Sequence, residues 1–203
     1  MLKDAKVVVF DDMSQCTQAE VERLLPLVNM QRREQALRYK HVFGQYCCLK
    51  SWEILSQWIG CGDWQYNDNG KPFVENGPYF SISHCKQGIV VAVADEPIGV
   101  DIEEIRNVDD ALIERVLSKT ERFALQATVN GEMARDRAFT RLWTQKEAVL
   151  KAQGTGIQSF EQVQTILEKN EWLLQTIEKE KYIYSIAYGK LHCIGTQVPP
   201  ADF

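Results

Sequence analysis

The chain has 203 residues, 45% hydrophobic and 25% charged, enough for one sizeable core or two smaller ones in an ordinary globular protein. A net charge of −5 excludes a surface built as a whole for nucleic acid or membrane, so any anionic ligand must be met by a local basic patch. No apolar run approaches a membrane span and the start, Met1-Leu2-Lys3-Asp4, lacks a secretory pattern, so a cytoplasmic location is expected. The six cysteines, Cys16, Cys47, Cys48, Cys61, Cys85 and Cys193, show no zinc spacing and are expected to be reduced thiols.

Lys6–Phe10 is an apolar, β-branched run and reads as a first strand. Thr17 and Glu20 form a capping box for a helix that ends near Pro26. The next stretch, Gln31–Lys40, gathers Arg32, Arg33, Arg38 and Lys40, either as a solvated helix face or as a phosphate-binding patch. Val42–Ile59 reads as a helix with a wide apolar face stopped by Gly60. Trp64–Tyr66 and Lys71–Val74 flank the turn signal Asn69-Gly70 and suggest an irregular hairpin. Tyr79–His84 and Gly88–Ala94 read as an antiparallel pair across a short polar connection. Gly99–Glu103 is a buried strand, Asn107–Leu117 a helix, and Ser118 with Glu121 a second capping box. Met133–Gln153 has the spacing of one long helix stopped by Gly154. Beyond it, Val163–Leu167, Trp172–Ile177, Tyr182–Tyr188 and Leu191–Ile194 read as strands, and Pro199–Phe203 as a loose tail. The pattern is α+β, mixed helices with mainly antiparallel sheet, and it divides into two halves, 1–98 and 99–203.

Two stretches carry chemistry. In Gly99-Val100-Asp101-Ile102-Glu103 the two carboxylates share one strand face, where each raises the other's pKa unless a cation offsets the repulsion. In Trp143-Thr144-Gln145-Lys146-Glu147-Ala148-Val149-Leu150-Lys151, residues 143, 147 and 151 share a helical stripe. Glu147 and Lys151 are either a plain surface ion pair or parts of a site. If Glu147 joins Asp101 and Glu103, three carboxylates without neutral ligands suit Mg²⁺ or Mn²⁺, and Lys146 and Lys151 supply charge for phosphate oxygens. That combination fits phosphoryl-type transfer.

These two stretches, in this order and about forty residues apart, resemble the signature motifs of the 4′-phosphopantetheinyl transferases. Gly70-Lys71-Pro72 and Phe80-Ser81-Ile82-Ser83-His84 resemble further motifs of the larger, surfactin-synthetase-type branch. The resemblance covers residues 70–155 and, more weakly, reaches back to Arg32. It implies two pseudo-symmetric halves in one chain with the active site between them, and a monomer. The amino-terminal half would carry the basic cluster, the Ser-His motif and the cofactor and carrier contacts. The carboxy-terminal half would carry the metal-binding carboxylates and the catalytic helix.

The implied reaction moves 4′-phosphopantetheine from coenzyme A to a serine of an apo acyl- or peptidyl-carrier protein and releases adenosine 3′,5′-bisphosphate. Asp101, Glu103 and Glu147 would hold Mg²⁺. Glu147 would also be the base for the serine, and Lys151 would neutralise phosphate charge, with Lys146 in a similar role. His84 and Ser83 would touch a cofactor phosphate, and Lys71 the adenosine portion. Two departures stand out. The family's acidic and arginine-bearing helix start after the basic cluster is here Gly44-Gln45-Tyr46-Cys47-Cys48, leaving Arg32, Arg38 or Lys50 as substitutes at the 3′-phosphate. The usual Asn and Ser flanking Ile-Ser-His are Ser81 and Cys85. A metal-dependent phosphodiesterase or pyrophosphatase, and a non-catalytic carrier-binding protein, are the alternatives.

Overall fold

The computed structural model describes residues 5–128, 131–168 and 172–189. Strand β1 (Lys6–Phe10) leads to helices α1 (Gln18–Leu24), α2 (Met30–Leu37) and α3 (Val42–Ile59). A minimal hairpin, β2 (Gln65–Tyr66) and β3 (Pro72–Phe73), follows, and then β4 (Tyr79–Cys85), β5 (Gly88–Ala94) and β6 (Ile98–Glu104). Helices α4 (Asp110–Val116), α5 (Lys119–Thr128), α6 (Glu132–Gln153) and α7 (Phe160–Thr165) come next, before β7 (Trp172–Glu178) and β8 (Tyr182–Gly189). The class is α+β, as the sequence indicated.

The strands form two three-stranded antiparallel sheets, ordered β1-β5-β4 and β6-β8-β7. Every residue of β5 is buried, which explains why Gly88–Ala94 shows no polar alternation. Ile89, Val91 and Val93 face a cluster with Tyr46, Leu49 and Leu55 of α3. Val90, Ala92 and Ala94 face Val100 and Ile102 of β6 and Ile186 of β8. A third cluster packs Val149 and Leu150 of α6 against Val116, Val163 and Ala187.

Where the two sheets meet, β4 runs beside β6 and side chains make the join. The hydroxyl of Ser81 accepts the Val100 N–H at 3.1 Å, and that of Ser83 accepts the Ile102 N–H at 3.3 Å. A further tie runs from the Tyr182 hydroxyl to Asp11 at 2.8 Å.

Most terminators act as their chemistry suggests. Thr17 accepts from the Glu20 N–H, and Ser118 and Glu121 close both arms of a capping box. The helix expected from Asn107 begins later because Asp109 is its N-cap, accepting from the Leu112 N–H. One expectation is overturned. Val163–Leu167 is not a strand; Ser159 caps α7 through the Gln162 N–H, and Val163 and Ile166, three apart, turn one helical face into the third cluster. Leu191–Ile194, Pro199–Phe203 and Cys193 lie outside the described residues, among which the cysteines are free thiols. No helix among the described residues is long and apolar enough to cross a membrane.

Candidate active site

The site exists because α6 lies almost directly on the backbone of β6. A Cβ at Gly99 would collide with the carbonyl oxygen of Ala148 and the amide nitrogen of Ala152, so only glycine permits this approach. A buried hydroxyl row pins the two layers further along. Ser185, which pairs with Asp101 across the β6–β8 ladder, lies 2.8 Å from Thr144 of α6 and 2.9 Å from Thr176 of β7.

With α6 so placed, its 143–147–151 stripe faces the carboxylates of β6. Asp101 is only 2% exposed. Its Oδ1 accepts from the Ser83 hydroxyl at 2.9 Å and from the Lys151 ammonium at 2.6 Å, while its Oδ2 is buried without a hydrogen-bond partner. Glu103 accepts from the Trp143 indole N–H at 3.3 Å. Burial, then repulsion from Asp101, lifts the Glu103 carboxyl above its usual range. Glu147 is pushed up to about 7 by burial and by Asp101, with Lys151 drawing it partly back and Glu103 adding to the rise. Lys151 spends its ammonium on Asp101 and Ser83, so the simple Glu147–Lys151 surface pair does not form.

The three acidic groups therefore share one electrostatic neighbourhood, but they are not a ready-made cage. Among the described residues, no three His, Cys, Asp or Glu side chains stand close enough to hold a metal as arranged here. Lys151 already covers one Asp101 oxygen. The donor set still suits a hard divalent cation: all its atoms are carboxylate oxygens, and the orphaned Asp101 Oδ2 is a buried acceptor with nothing to accept.

A cleft of about 240 Å³ opens beside this group, walled by Lys71 and Pro72, by Phe80 and Ile82 of β4, and by Glu147 and Lys151. His84, near the end of β4, makes a T-shaped contact with Phe43 at 5.7 Å between ring centroids and remains exposed. Desolvation by the surrounding protein and the positive Lys151 hold its pKa below the usual value. Lys71 points its ammonium at main-chain oxygens of Ala152 (3.0 Å) and Ile98 (3.4 Å), and burial pulls it down to about 8.

Three expected phosphate ligands are committed elsewhere. Lys146 is fully buried, donating to the carbonyls of Val163 and Gln164 at 2.8 and 3.0 Å and pairing with Glu121 at 3.0 Å. It ties α6 to α5 and α7 and does not face the cleft. Arg32 is buried under Trp64, spending its guanidinium on the Cys48 carbonyl, Ser51 and Gln35. Ser83 uses its one proton on Asp101 and accepts from Ile102 and Lys151, so a phosphate contact would have to displace one of these bonds. Of the substitutes, Lys50 is paired with Glu53 at 2.6 Å, whereas Arg38 is exposed at the α2–α3 junction.

Sequence reasoning placed no function on Ser81, Trp143, Thr144, Asn67 or Asn69. Only Trp143 left a signal, by standing on the stripe with Glu147 and Lys151.

Comparison with known proteins meets this geometry. Residues 97–197, which hold β6, α6 and their partners, match the family model described as the 4′-phosphopantetheinyl transferase superfamily. Among its relatives is a 4′-phosphopantetheinyl transferase, psf-1, of Bacillus pumilus, 32% identical over 157 residues, 68% of this chain and 63% of the relative. The chain belongs to the 4′-phosphopantetheinyl transferase superfamily. Two other members, gsp of Aneurinibacillus migulanus and Sfp of Bacillus subtilis strain 168, are 36% and 28% identical over 111 and 152 residues. Those matches cover 51% and 70% of this chain, and 46% and 66% of the relatives. The chain thus spans less than two thirds of the length of these superfamily members.

Proposed function

We propose that the protein transfers the 4′-phosphopantetheine group of coenzyme A to a serine of an apo acyl- or peptidyl-carrier protein, releasing adenosine 3′,5′-bisphosphate. The observation that carries this reading is the face-to-face arrangement of Asp101 and Glu103 on β6 with Glu147 and Lys151 on α6, beside an open cleft. A non-catalytic binding protein has no need to bury mutually repelling carboxylates.

In this reading Glu147 takes the serine proton as the hydroxyl oxygen attacks the pantetheine-side phosphorus. The phosphoanhydride bond breaks as the new phosphoester forms, and the bridging oxygen leaves with the nucleotide. Asp101, with its unpartnered Oδ2, and Glu103 and Glu147 would hold Mg²⁺ or Mn²⁺, which supplies charge neutralisation for the pyrophosphate. Ser83 orients Asp101, and Trp143 orients Glu103. Lys151 adds a cation that can turn from Asp101 to a phosphate oxygen. His84 and Arg38 are the exposed basic groups for the cofactor's remaining phosphate.

The two halves, 1–98 and 99–203, would act as one unit around the cleft, as a cytoplasmic monomer with no role for nucleic acid or membrane. Incubating the protein with coenzyme A, Mg²⁺ and an apo-carrier, followed by mass spectrometry of the carrier, tests the proposal. The expected result is the mass of one phosphopantetheine added to the carrier serine. Cleavage of coenzyme A with every carrier unchanged would establish a hydrolase instead.

A further inference from the structure

The turn between β2 and β3 does more than close a hairpin. Asn67 Oδ1 accepts the N–H groups of Asn69 (3.0 Å) and Lys71 (2.8 Å), and the Asn67 N–H donates to the Lys71 carbonyl at 3.0 Å, so the turn is braced from within. Gly70, at φ +78°, lets the chain reverse there. The braced turn then presents three side-chain donors to the end of α6. Asn67 and Asn69 both donate to the Gly154 carbonyl, at 2.9 and 3.1 Å, and Lys71 donates to Ala152.

A helix leaves its last carbonyls without partners inside itself, and here a segment more than eighty residues away supplies them. A positive charge at a helix C-terminus is also favoured by the helix dipole. The same Lys71 ammonium reaches the carbonyl of Ile98, the first residue of β6. One side chain thus touches both elements of the site, three residues before Asp101 and one residue after Lys151.

We infer that Lys71, braced by Asn67 and Asn69, is a positioning residue: a clasp that fixes the end of α6 against the start of β6 and so sets the reach from Glu147 and Lys151 to Asp101. The inference rests on the transfer reaction proposed above for its kinetic consequence, but not for the clasp itself. Burial pulls the ammonium down to about 8, a cost that a lysine reaching into solvent for a ligand would avoid.

The experiment compares the full chain with Lys71→Met and Asn69→Ala. Asn69→Ala removes one donor and leaves the Lys71 ammonium in place, in case loss of the lysine compromises folding. Two readouts are taken: amide hydrogen exchange over residues 148–156 without any ligand, and kcat and KM with coenzyme A and an apo-carrier. The expected result is about tenfold faster exchange at the end of α6 in each variant. Alongside it, kcat falls about tenfold or more while KM for coenzyme A stays within about twofold, because misplaced catalytic groups cost rate rather than ground-state binding. Unchanged exchange at the helix end overturns the clasp. So does a raised KM at unchanged kcat, which would make Lys71 a cofactor ligand. If the wild type transfers nothing to any carrier, the proposed function falls, while the exchange comparison still decides the clasp.

Discussion

Replacing Glu147 with glutamine should make the metal-free protein more stable while destroying its activity. In the folded chain the Glu147 carboxyl is pushed up to about 7, against an ordinary value of 4.5, by burial first and by Asp101 second. The folded state therefore keeps a proton that the unfolded chain releases near pH 4.5, and stability falls as pH rises from there to about 7. A rise of this size corresponds to about 3 kcal/mol lost by the time the group is fully ionised. Glutamine has nearly the same shape and no charge, so the variant escapes that loss. Thermal melts in a chelator at pH 8 should show a Tm roughly 5–10 °C above wild type, and the gain should vanish at pH 4.5. Mg²⁺ should raise the Tm at pH 8 more in the wild type than in the variant, since the variant keeps only the Asp101–Glu103 repulsion for the divalent ion to relieve. Equal stability of the two proteins at pH 8, or the same gain at both pH values, would refute the reasoning, because the effect must come from charge and not from packing.

Other perturbations separate positioning from binding. Ser83→Ala leaves the Ile102 N–H without its acceptor and Lys151 with one fewer, so stability should drop by about 1–3 kcal/mol in a denaturant titration. It should lower kcat with KM for coenzyme A little changed; a large rise in KM alone would show a direct phosphate contact. Lys146→Met removes the buried cation that pairs with Glu121 and donates to two carbonyls, and should lower Tm by about 10 °C in a calorimetric scan, from a loss of roughly 3 kcal/mol or more. A phosphate ligand at that position would instead leave Tm untouched. Gly99→Ala, which drives a methyl into the α6 backbone, should cost about 3 kcal/mol in the same scan and reduce transfer further than its stability loss explains.

The strands and long helices were legible because each obeys a local rule. Gly88–Ala94 and Val42–Ile59 fall where composition and stop signals put them. The carboxylates of β6 and the 143–147–151 stripe were legible for the same reason, since alternation in a strand and four-residue spacing in a helix fix which side chains share a face. What stayed hidden depends on pairs far apart in the chain. Nothing in Ser81 or Ser83 announces that their hydroxyls would take the place of a main-chain ladder between two sheets. Arg32 looked like a member of a basic patch, and only the fold reveals that Trp64 covers it and the Cys48 carbonyl uses it. The strand expected at Val163–Leu167 failed because a short apolar run has no decisive period, and the cap at Ser159 settled it.

The two lysines of the helical motif show why charge in a motif is not yet chemistry. Each residue of a helix is turned about 100° from the last, so Lys151 stands only about 40° round from Glu147 while Lys146 stands about 100° off. The stripe faces the carboxylates of β6, and Lys151 joins them through Asp101. A hundred degrees away the helix faces α5 and α7, and a lysine there must be satisfied by carbonyls of α7 and by one glutamate of α5, or not be tolerated at all. Moving the lysine therefore tests the site more sharply than deleting it. In Lys151→Met a second lysine four residues on the other side, replacing Glu147, lies on the same stripe and should still pair with Asp101. The double variant Lys151→Met with Glu147→Lys should thus be at least as stable as wild type in a chelator at pH 8 and lose all transfer, because the cation is restored while the strained acid, which is also the base, is gone. Transfer surviving in that protein would mean that Glu147 is not the group that takes the serine proton.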